Sequence, residues 1–148
     1  MTRVTETANQ FLSAVSAKLK IPAGRLDANG EALLECVVDG ARVAVRVVAR
    51  ETSATLSFTV PVGRLPTTDD GTLGRALLAG NLAGVATHGL AFAFSPQDET
   101  LHLSHSLHLP GATYAAFEAA LTRIISVGLA TRRRFADTPA MALPPSVT

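Results

Sequence analysis

The stretch from Leu77 to Phe135 decides the fold: LLAGNLAGVATHGLAFAFSPQDETLHLSHSLHLPGATYAAFEAALTRIISVGLATRRRF. It predicts a helix, two strands joined by a tight turn at PQDET, and a long final helix. In the two strands apolar residues alternate, which is typical of strands with one covered face. The stretch holds no nucleophile motif, metal cluster or phosphate loop. It therefore favours binding over chemistry.

The residues before this stretch predict one more helix and three strands. A helix over residues 5–19 is indicated by apolar residues spaced three and four apart. Strands follow at 32–38, 41–50 and 53–60, and Asp39-Gly40 is a two-residue hairpin signal. Residues 62–71 predict a loop, and residues 72–87 predict the helix that leads into the second hairpin.

The complete pattern is α-β-β-β-α-β-β-α. It predicts an α+β fold with a single twisted antiparallel sheet of about five strands and three helices. The final helix covers residues 112–135. Residues 1–137 are expected to form one domain, and the Pro-rich residues 138–148 are expected to be a disordered tail.

The amino-acid composition limits the classes of function that the chain can have. The chain has 148 residues with 47% hydrophobic but only 17% charged residues, so some apolar surface is expected to contact another chain. A net charge of +1 predicts neither nucleic-acid binding nor attraction to a membrane surface. Cys36 is the single cysteine, the N-terminus lacks an apolar signal core, and no apolar run could span a bilayer. We expect a cytoplasmic protein without a membrane span.

Several residues invite a chemical interpretation. His88, His102, His105 and His108 could suggest a metal site, but His102 and His108 lie about 20 Å apart along a strand, so no metal is predicted. Ser104, His105 and Asp98 lack the strained turn of a hydrolase nucleophile. Arg132, Arg133 and Arg134 fit a solvated helix C-terminus. Cys36 is expected to be a buried, inert thiol. The sequence predicts no cofactor and no enzyme activity.

The chain resembles the class I type III secretion chaperones, the family of the Tir chaperone of pathogenic bacteria. Three segments carry the resemblance: LLAGNLAGVATHGLAFAF at 77–94, LHLSHSLHLPGATYAAFEAALTRII at 101–125, and FLSAVSAKLKI at 11–21. Together they place nearly the whole chain, residues 5 to 136, within the family pattern.

The resemblance implies a bacterial cytoplasmic homodimer that binds the extended N-proximal segment of a secreted effector and keeps it stable and competent for export. No catalysis is implied. The helix that begins at Leu77 and the following strand would form the dimer contact, with the residues Leu77, Leu78, Asn81, Leu82, Leu90 and Phe92. The client would lie against Phe11, Leu12, Val15, Leu34, Val48 and Leu107.

Two alternatives stay open. One is a dimeric regulatory or ligand-binding protein of the same fold, which binds a folded partner or a small apolar ligand, and the other is an enzyme of unknown type. A large enclosed cavity with convergent polar groups would favour either alternative. Shallow apolar grooves would favour the chaperone.

Overall fold

The computed structural model describes residues 2–22, 24–66, 71–81 and 89–144. Within these residues the elements are α1 (Arg3–Leu19), β1 (Glu31–Val38), β2 (Ala41–Arg50), β3 (Thr55–Arg64), α2 (Thr72–Gly80), β4 (Ala91–Ser95), β5 (Thr100–His108) and α3 (Tyr114–Ala136), followed by a 3-10 helix at Pro139–Met141. The predicted order of helices and strands is confirmed. The strands form one sheet in the order β1-β2-β3-β5-β4, so β1 and β4 lie at its edges.

The chain divides into two compact units, each with its own packing. The first comprises Met1–Thr59 and Ser106–Thr122, and the second comprises Val60–His105 and Arg123–Thr148. The predicted single domain over 1–137 stays a prediction.

In the first unit, α1 begins at a true N-cap and packs its apolar stripe inward. The Thr2 hydroxyl accepts a hydrogen bond from the Thr5 N–H at 3.2 Å, which satisfies one of the free donors at the helix start. Aromatic rings form the centre of the core: Phe117 lies 5.3 Å from Phe11 and 5.7 Å from Phe58, measured between ring centroids. At the other end of α1, Lys18 Nζ donates to both carboxylate oxygens of Glu118 at 2.7 and 2.9 Å.

The hairpin between β1 and β2 has the register that the sequence predicts. Asp39 and Gly40 both have positive φ, at 51° and 79°, as a two-residue turn of this hand requires. Val38 therefore faces Ala41, and Leu34 faces Val45. The alternation along β2 is confirmed as well, since Val43, Val45 and Val47 are buried while Arg42 and Arg46 are exposed.

In the second unit, two glycines allow close contacts with α3 and the residues after it. A Cβ at Gly128 would lie 2.6 Å from Val60 Cγ2, so this face of α3 admits no side chain. A Cβ at Gly63 would lie 2.7 Å from Phe135 Cδ2 and 2.9 Å from the Met141 carbonyl oxygen. Larger residues at either glycine would push these elements apart.

Three expectations need correction. β3 continues to Arg64, because Val62 is fully buried where the sequence predicts a loop. Ala54, expected on a strand, has a φ of 51° and belongs to the turn before β3. The residues after 137 are ordered in part, because Pro139–Met141 forms a 3-10 helix and Met141 is buried. The predicted second helix ends at Gly80 in the described residues, and residues 82–88 lie outside them.

Candidate functional site

The outer edge of β1 is closed at its first residue by Asp27. The Asp27 N–H donates to the Glu31 carbonyl oxygen at 2.8 Å, and Asp27 Oδ1 accepts from the Glu31 N–H at 3.0 Å. The same Oδ1 accepts from the Asn29 N–H at 2.8 Å, which holds the turn in place. Both backbone groups of Glu31 thus point away from β2 and are satisfied by the chain itself.

Beyond Glu31 the edge of β1 is open. Backbone groups alternate in direction along an antiparallel strand, so those of Leu33, Glu35 and Val37 point outward like those of Glu31. Among the described residues β1 has one strand partner, β2, and these three outward-facing residues make no further backbone hydrogen bond. We call the outward backbone groups of Leu33, Glu35 and Val37 the open edge. An unpaired row of this kind is a template for another strand.

The side chains at the open edge are also accessible. Leu33 is 55% exposed and Val37 is 70% exposed, with the exposed carboxylate of Glu35 between them. On the neighbouring strand, Arg46 lies opposite Leu33 and Arg42 lies opposite Val37. This face of the hairpin therefore combines exposed apolar side chains with charges of both signs, which suits recognition of a chain segment.

The structure separates the predicted client-binding residues into two groups. Leu12, Val15 and Leu34 are buried in the core, so their predicted place in a binding surface is wrong. Their apolar character suggests a binding surface, but the apolar stripe of α1 and the inner face of β1 are both buried within the chain. Phe11, Val48 and Leu107 are half-buried and stay candidates. Val48 lies opposite Glu31 on the same face as the open edge.

The edge of β4 in the second unit is capped by a side chain. Asn81 Oδ1 accepts from the Phe92 N–H at 2.6 Å, and Asn81 Nδ2 donates to the Phe92 carbonyl oxygen at 3.2 Å. The amide therefore occupies the place of a neighbouring strand at this residue. The Phe92 ring stacks on Phe135 at a centroid distance of 6.0 Å.

The predicted dimer residues also fall into groups that differ in exposure. Leu77 and Leu90 are buried within the chain, so they do not offer free surface, contrary to the prediction. Asn81 and Phe92 are half-buried and are engaged with each other. Leu78 is 71% exposed on α2, and Phe94 is 45% exposed on β4. Leu82 lies outside the described residues. Among the described residues of this unit, Leu78 and Phe94 are the large apolar side chains that are exposed for contact with another chain.

The residues considered for chemistry have structural roles. Ser104 Oγ donates to the Ala91 carbonyl oxygen at 3.4 Å, and Asp98 Oδ1 accepts from the Thr100 N–H at 3.1 Å, so both hold the β4–β5 hairpin. Hydrogen bonds from Thr100 and Ser95 lower the pKa of the Asp98 carboxyl. Burial, with a smaller effect of the Arg123 charge, lowers the pKa of His105.

Metal binding and thiol chemistry find no support among the described residues. That part of the chain contains no group of three or more His, Cys, Asp or Glu side chains that could hold a metal ion, and His88 lies outside it. Burial raises the pKa of the Cys36 thiol, which disfavours the reactive thiolate. No helix in the described residues has the length and apolar character needed to cross a membrane.

A cleft of about 480 Å³ lies at the start of α1, next to the turn between β5 and α3. Its lining is mostly apolar, with Arg3 and Thr7 as polar contributors: Arg3, Val4, Thr7, Ala54, Leu109, Pro110, Gly111 and Ala112. A small-molecule site typically combines an apolar cavity with several precisely placed polar groups, and Arg3 and Thr7 are the two polar side chains in this lining.

Sequence reasoning missed the residues that shape the open edge. Asp27, Leu33, Glu35 and Val37 were not among the predicted site residues. Two signals were present: the Asp27-x-Asn29-Gly30 turn directly before a strand, and an acidic residue between apolar residues two positions away on either side.

Comparisons with known proteins identify one family and several solved structures of similar fold. The family model of the Tir chaperone protein (CesT) family matches residues 10–130. A chain of the ExsC-ExsE complex is 20% identical, with a TM-score of 0.74 over 89% of this chain and 96% of that chain. A chain of the HopA1-SchA chaperone-effector complex is 13% identical, with a TM-score of 0.68 over 90% and 98%.

A third solved structure has the same fold. It is the Yersinia pestis type III secretion chaperone SycH in complex with a fragment of YscM2. It is 14% identical, with a TM-score of 0.58 over 83% of this chain and 98% of that chain. A comparison with curated protein sequences finds no significant match.

Proposed function

The chain belongs to the Tir chaperone protein (CesT) family, and we propose that it is a type III secretion chaperone. Its client is the extended N-proximal segment of a secreted effector, which it keeps stable and ready for export. It acts by binding and not by catalysis, in the bacterial cytoplasm. Solved complexes of this fold, such as HopA1-SchA, pair a chaperone with an effector.

The observation that carries this proposal is the open edge of β1 with its exposed apolar side chains. Leu33 and Val37 are largely exposed, and the backbone groups beside them point outward. An unfolded client segment can add a strand there, so that the main chain supplies affinity and alternate side chains supply selectivity.

The energetics favour a client that gains both backbone hydrogen bonds and buried apolar surface. Ordering a client backbone costs about 1–2 kcal/mol per residue. Each hydrogen bond gained returns about 0.5–1.5 kcal/mol net, so a strand ladder, with about one bond per client residue, recovers only part of that cost. Burial of apolar surface, at about 25 cal/mol per Å², then makes the net free energy of binding favourable. Exposed Leu33 and Val37 provide such surface.

We further propose that the chain forms a homodimer through α2 and β4. Leu78 and Phe94 supply exposed apolar surface in that unit, whereas Asn81 caps part of the β4 edge. Side-chain packing would therefore contribute more to this contact than continuous strand pairing. Buried Leu77 and Leu90 would support it from within the chain.

The proposal is tested by co-expressing the chain with a secreted protein encoded next to it in the native host, followed by limited proteolysis of the purified complex. We expect a protected fragment from the N-proximal part of the secreted protein. A mass spectrum in which the client is digested as fast as in isolation would contradict the proposed function.

A further inference from the structure

The open edge of β1 is bounded at both ends. At its start, Asp27 takes up the backbone groups of Glu31. At its end, the chain turns away at Asp39-Gly40, where both residues have positive φ. The accessible part therefore runs from Leu33 to Val37, five residues, three of which direct their backbone groups outward. At about 3.3 Å per residue this length is roughly 16 Å.

The centre of the open edge carries one charge. Glu35 is exposed, and its neighbours on the same face, Leu33 and Val37, are apolar. A residue of an added strand directly opposite Glu35 would have its Cβ about 5 Å away. Arg42 and Arg46 belong to β2, which is two strand spacings, about 9–10 Å, from the added strand. That spacing is measured between backbones, and the Arg46 side chain lines a depression with Asp27, Glu31 and Leu33 at the start of the edge. On β1 itself, the charge directly beside the central client residue is the Glu35 carboxylate.

We propose that the open edge is a three-position slot that selects a client strand with a basic residue at its centre and apolar residues two positions to either side. This inference rests on the proposed function, because it describes what the same surface recognises. The apolar client residues would lie beside Leu33 and Val37, and a Lys or Arg would lie beside Glu35. Asp27 would fix the register, because it stops the added strand from extending along Glu31.

The test uses two probe segments fused ahead of Met1 of the full chain through a flexible Gly/Ser linker of about 30 residues, which reaches roughly 30 Å. One probe has the centre Val-Thr-Lys-Thr-Val, and the other has Glu in place of Lys. Amide hydrogen exchange of Leu33, Glu35 and Val37 reports occupancy of each position of the slot. Glu35→Lys is made in both fusions as the matched charge reversal, and the urea midpoint of each variant verifies that it is folded.

We expect the Lys probe to protect all three amides more than the Glu probe, by up to about fivefold, the range of an exposed cross-strand charge pair. Glu35→Lys should reverse this preference. Equal protection by both probes, a preference unchanged by Glu35→Lys, or no protection at all would overturn the proposal. Amides already protected in the chain without a probe would indicate a second copy on this edge and would overturn it too.

The native client separates this inference from the proposed function. A client that binds the chain and leaves the three amides unprotected would refute the slot but keep the chaperone function. Slot occupancy by the Lys probe, together with failure to protect any secreted protein, would refute the function but keep the recognition rule.

Discussion

Asn81 binds both backbone groups of Phe92, accepting from its N–H at 2.6 Å and donating to its carbonyl oxygen at 3.2 Å. A side-chain amide has the same donor and acceptor as a peptide group, so one residue can replace a strand at a sheet edge. Asp27 does the same at Glu31, using its own N–H and its carboxylate. Each edge strand is thus closed at one residue by a neighbouring Asn or Asp.

Removal of the Asn81 cap on β4 is predicted to lower the stability of the chain. Asn81→Ala should lower the free energy of unfolding by about 1–2 kcal/mol, because two hydrogen bonds to Phe92 are lost. Urea unfolding measures this change, and amide exchange of Phe92 should become faster. Asn81→Asp is the matched control, since it keeps an acceptor for the Phe92 N–H and should preserve that amide's protection. Unchanged exchange in Asn81→Ala would contradict the cap.

The open edge predicts that client binding and stability can be separated. Val37→Asp should weaken client binding about tenfold, because burial of this side chain is worth about 1–2 kcal/mol. Stability should change by less than about 0.5 kcal/mol, since Val37 is 70% exposed.

The control for this experiment is Leu34→Ala, because Leu34 lies on the same strand but on its inner face. Leu34 is buried, so truncation should cost about 2–5 kcal/mol of stability. Titration of the co-purified client onto both variants, at a temperature where each is folded, measures the two effects. A client affinity that falls with Leu34→Ala but not with Val37→Asp would place the client elsewhere.

The dimer proposal predicts that Leu78→Asp produces monomers. This side chain is 71% exposed on α2, and a buried carboxylate without a partner would be costly in an apolar contact. Light scattering at several concentrations gives the mass. Ala76→Asp is the control, because two residues along a helix point to opposite sides. If both variants keep the mass of the unmodified dimer, α2 is not in the contact.

His105 predicts a loss of stability in mild acid. Burial lowers its pKa from the ordinary value of 6.5, so the folded chain favours the neutral imidazole. The stabilisation is present above the unfolded pKa and is lost as pH falls through the lower folded pKa. Urea midpoints between pH 7.5 and pH 5 should therefore decline less in His105→Leu than in the unmodified chain. Parallel curves for the two proteins would show that His105 does not contribute.

Cys36 is expected to react slowly with thiol reagents. Its side chain is buried on the inner face of β1, and burial raises the pKa of its thiol. Since the thiolate is the reactive form, a disulfide reagent at pH 7.5 should react orders of magnitude faster in urea than in the native state. Equal rates would show that the inner face of β1 opens readily.

Much of the fold follows from local patterns. The alternation of Val43, Val45 and Val47, and the turn at Asp39-Gly40, specify a hairpin with one possible register. β1 is different, because apolar residues occupy both of its faces. The pattern could not show that Leu34 is buried and Val37 exposed, since that depends on which face α1 covers. For the same reason, apolar character alone wrongly assigned Leu12 and Val15 to a binding surface.

The proposed binding surface is less predictable than the fold, because it consists of backbone groups. The β1–β2 register directs the N–H and C=O groups of Leu33, Glu35 and Val37 away from β2, but strand order decides whether another strand pairs with them. Within the described residues β2 is the one strand that pairs with β1, so β1 lies at an edge. No residue type encodes that position. The cap by Asp27 depends on a turn whose exact path decides which carbonyl it reaches.

The open edge also has a cost when no client is present. An unpaired edge strand that can pair with a client strand can also pair with the same strand of another copy. Repeated edge-to-edge pairing of copies leads toward fibrils. A chain made in excess of its client would leave this edge uncovered. Synthesis of the chain and its client in balanced amounts would protect both proteins, because each would cover the exposed aggregation-prone surface of the other.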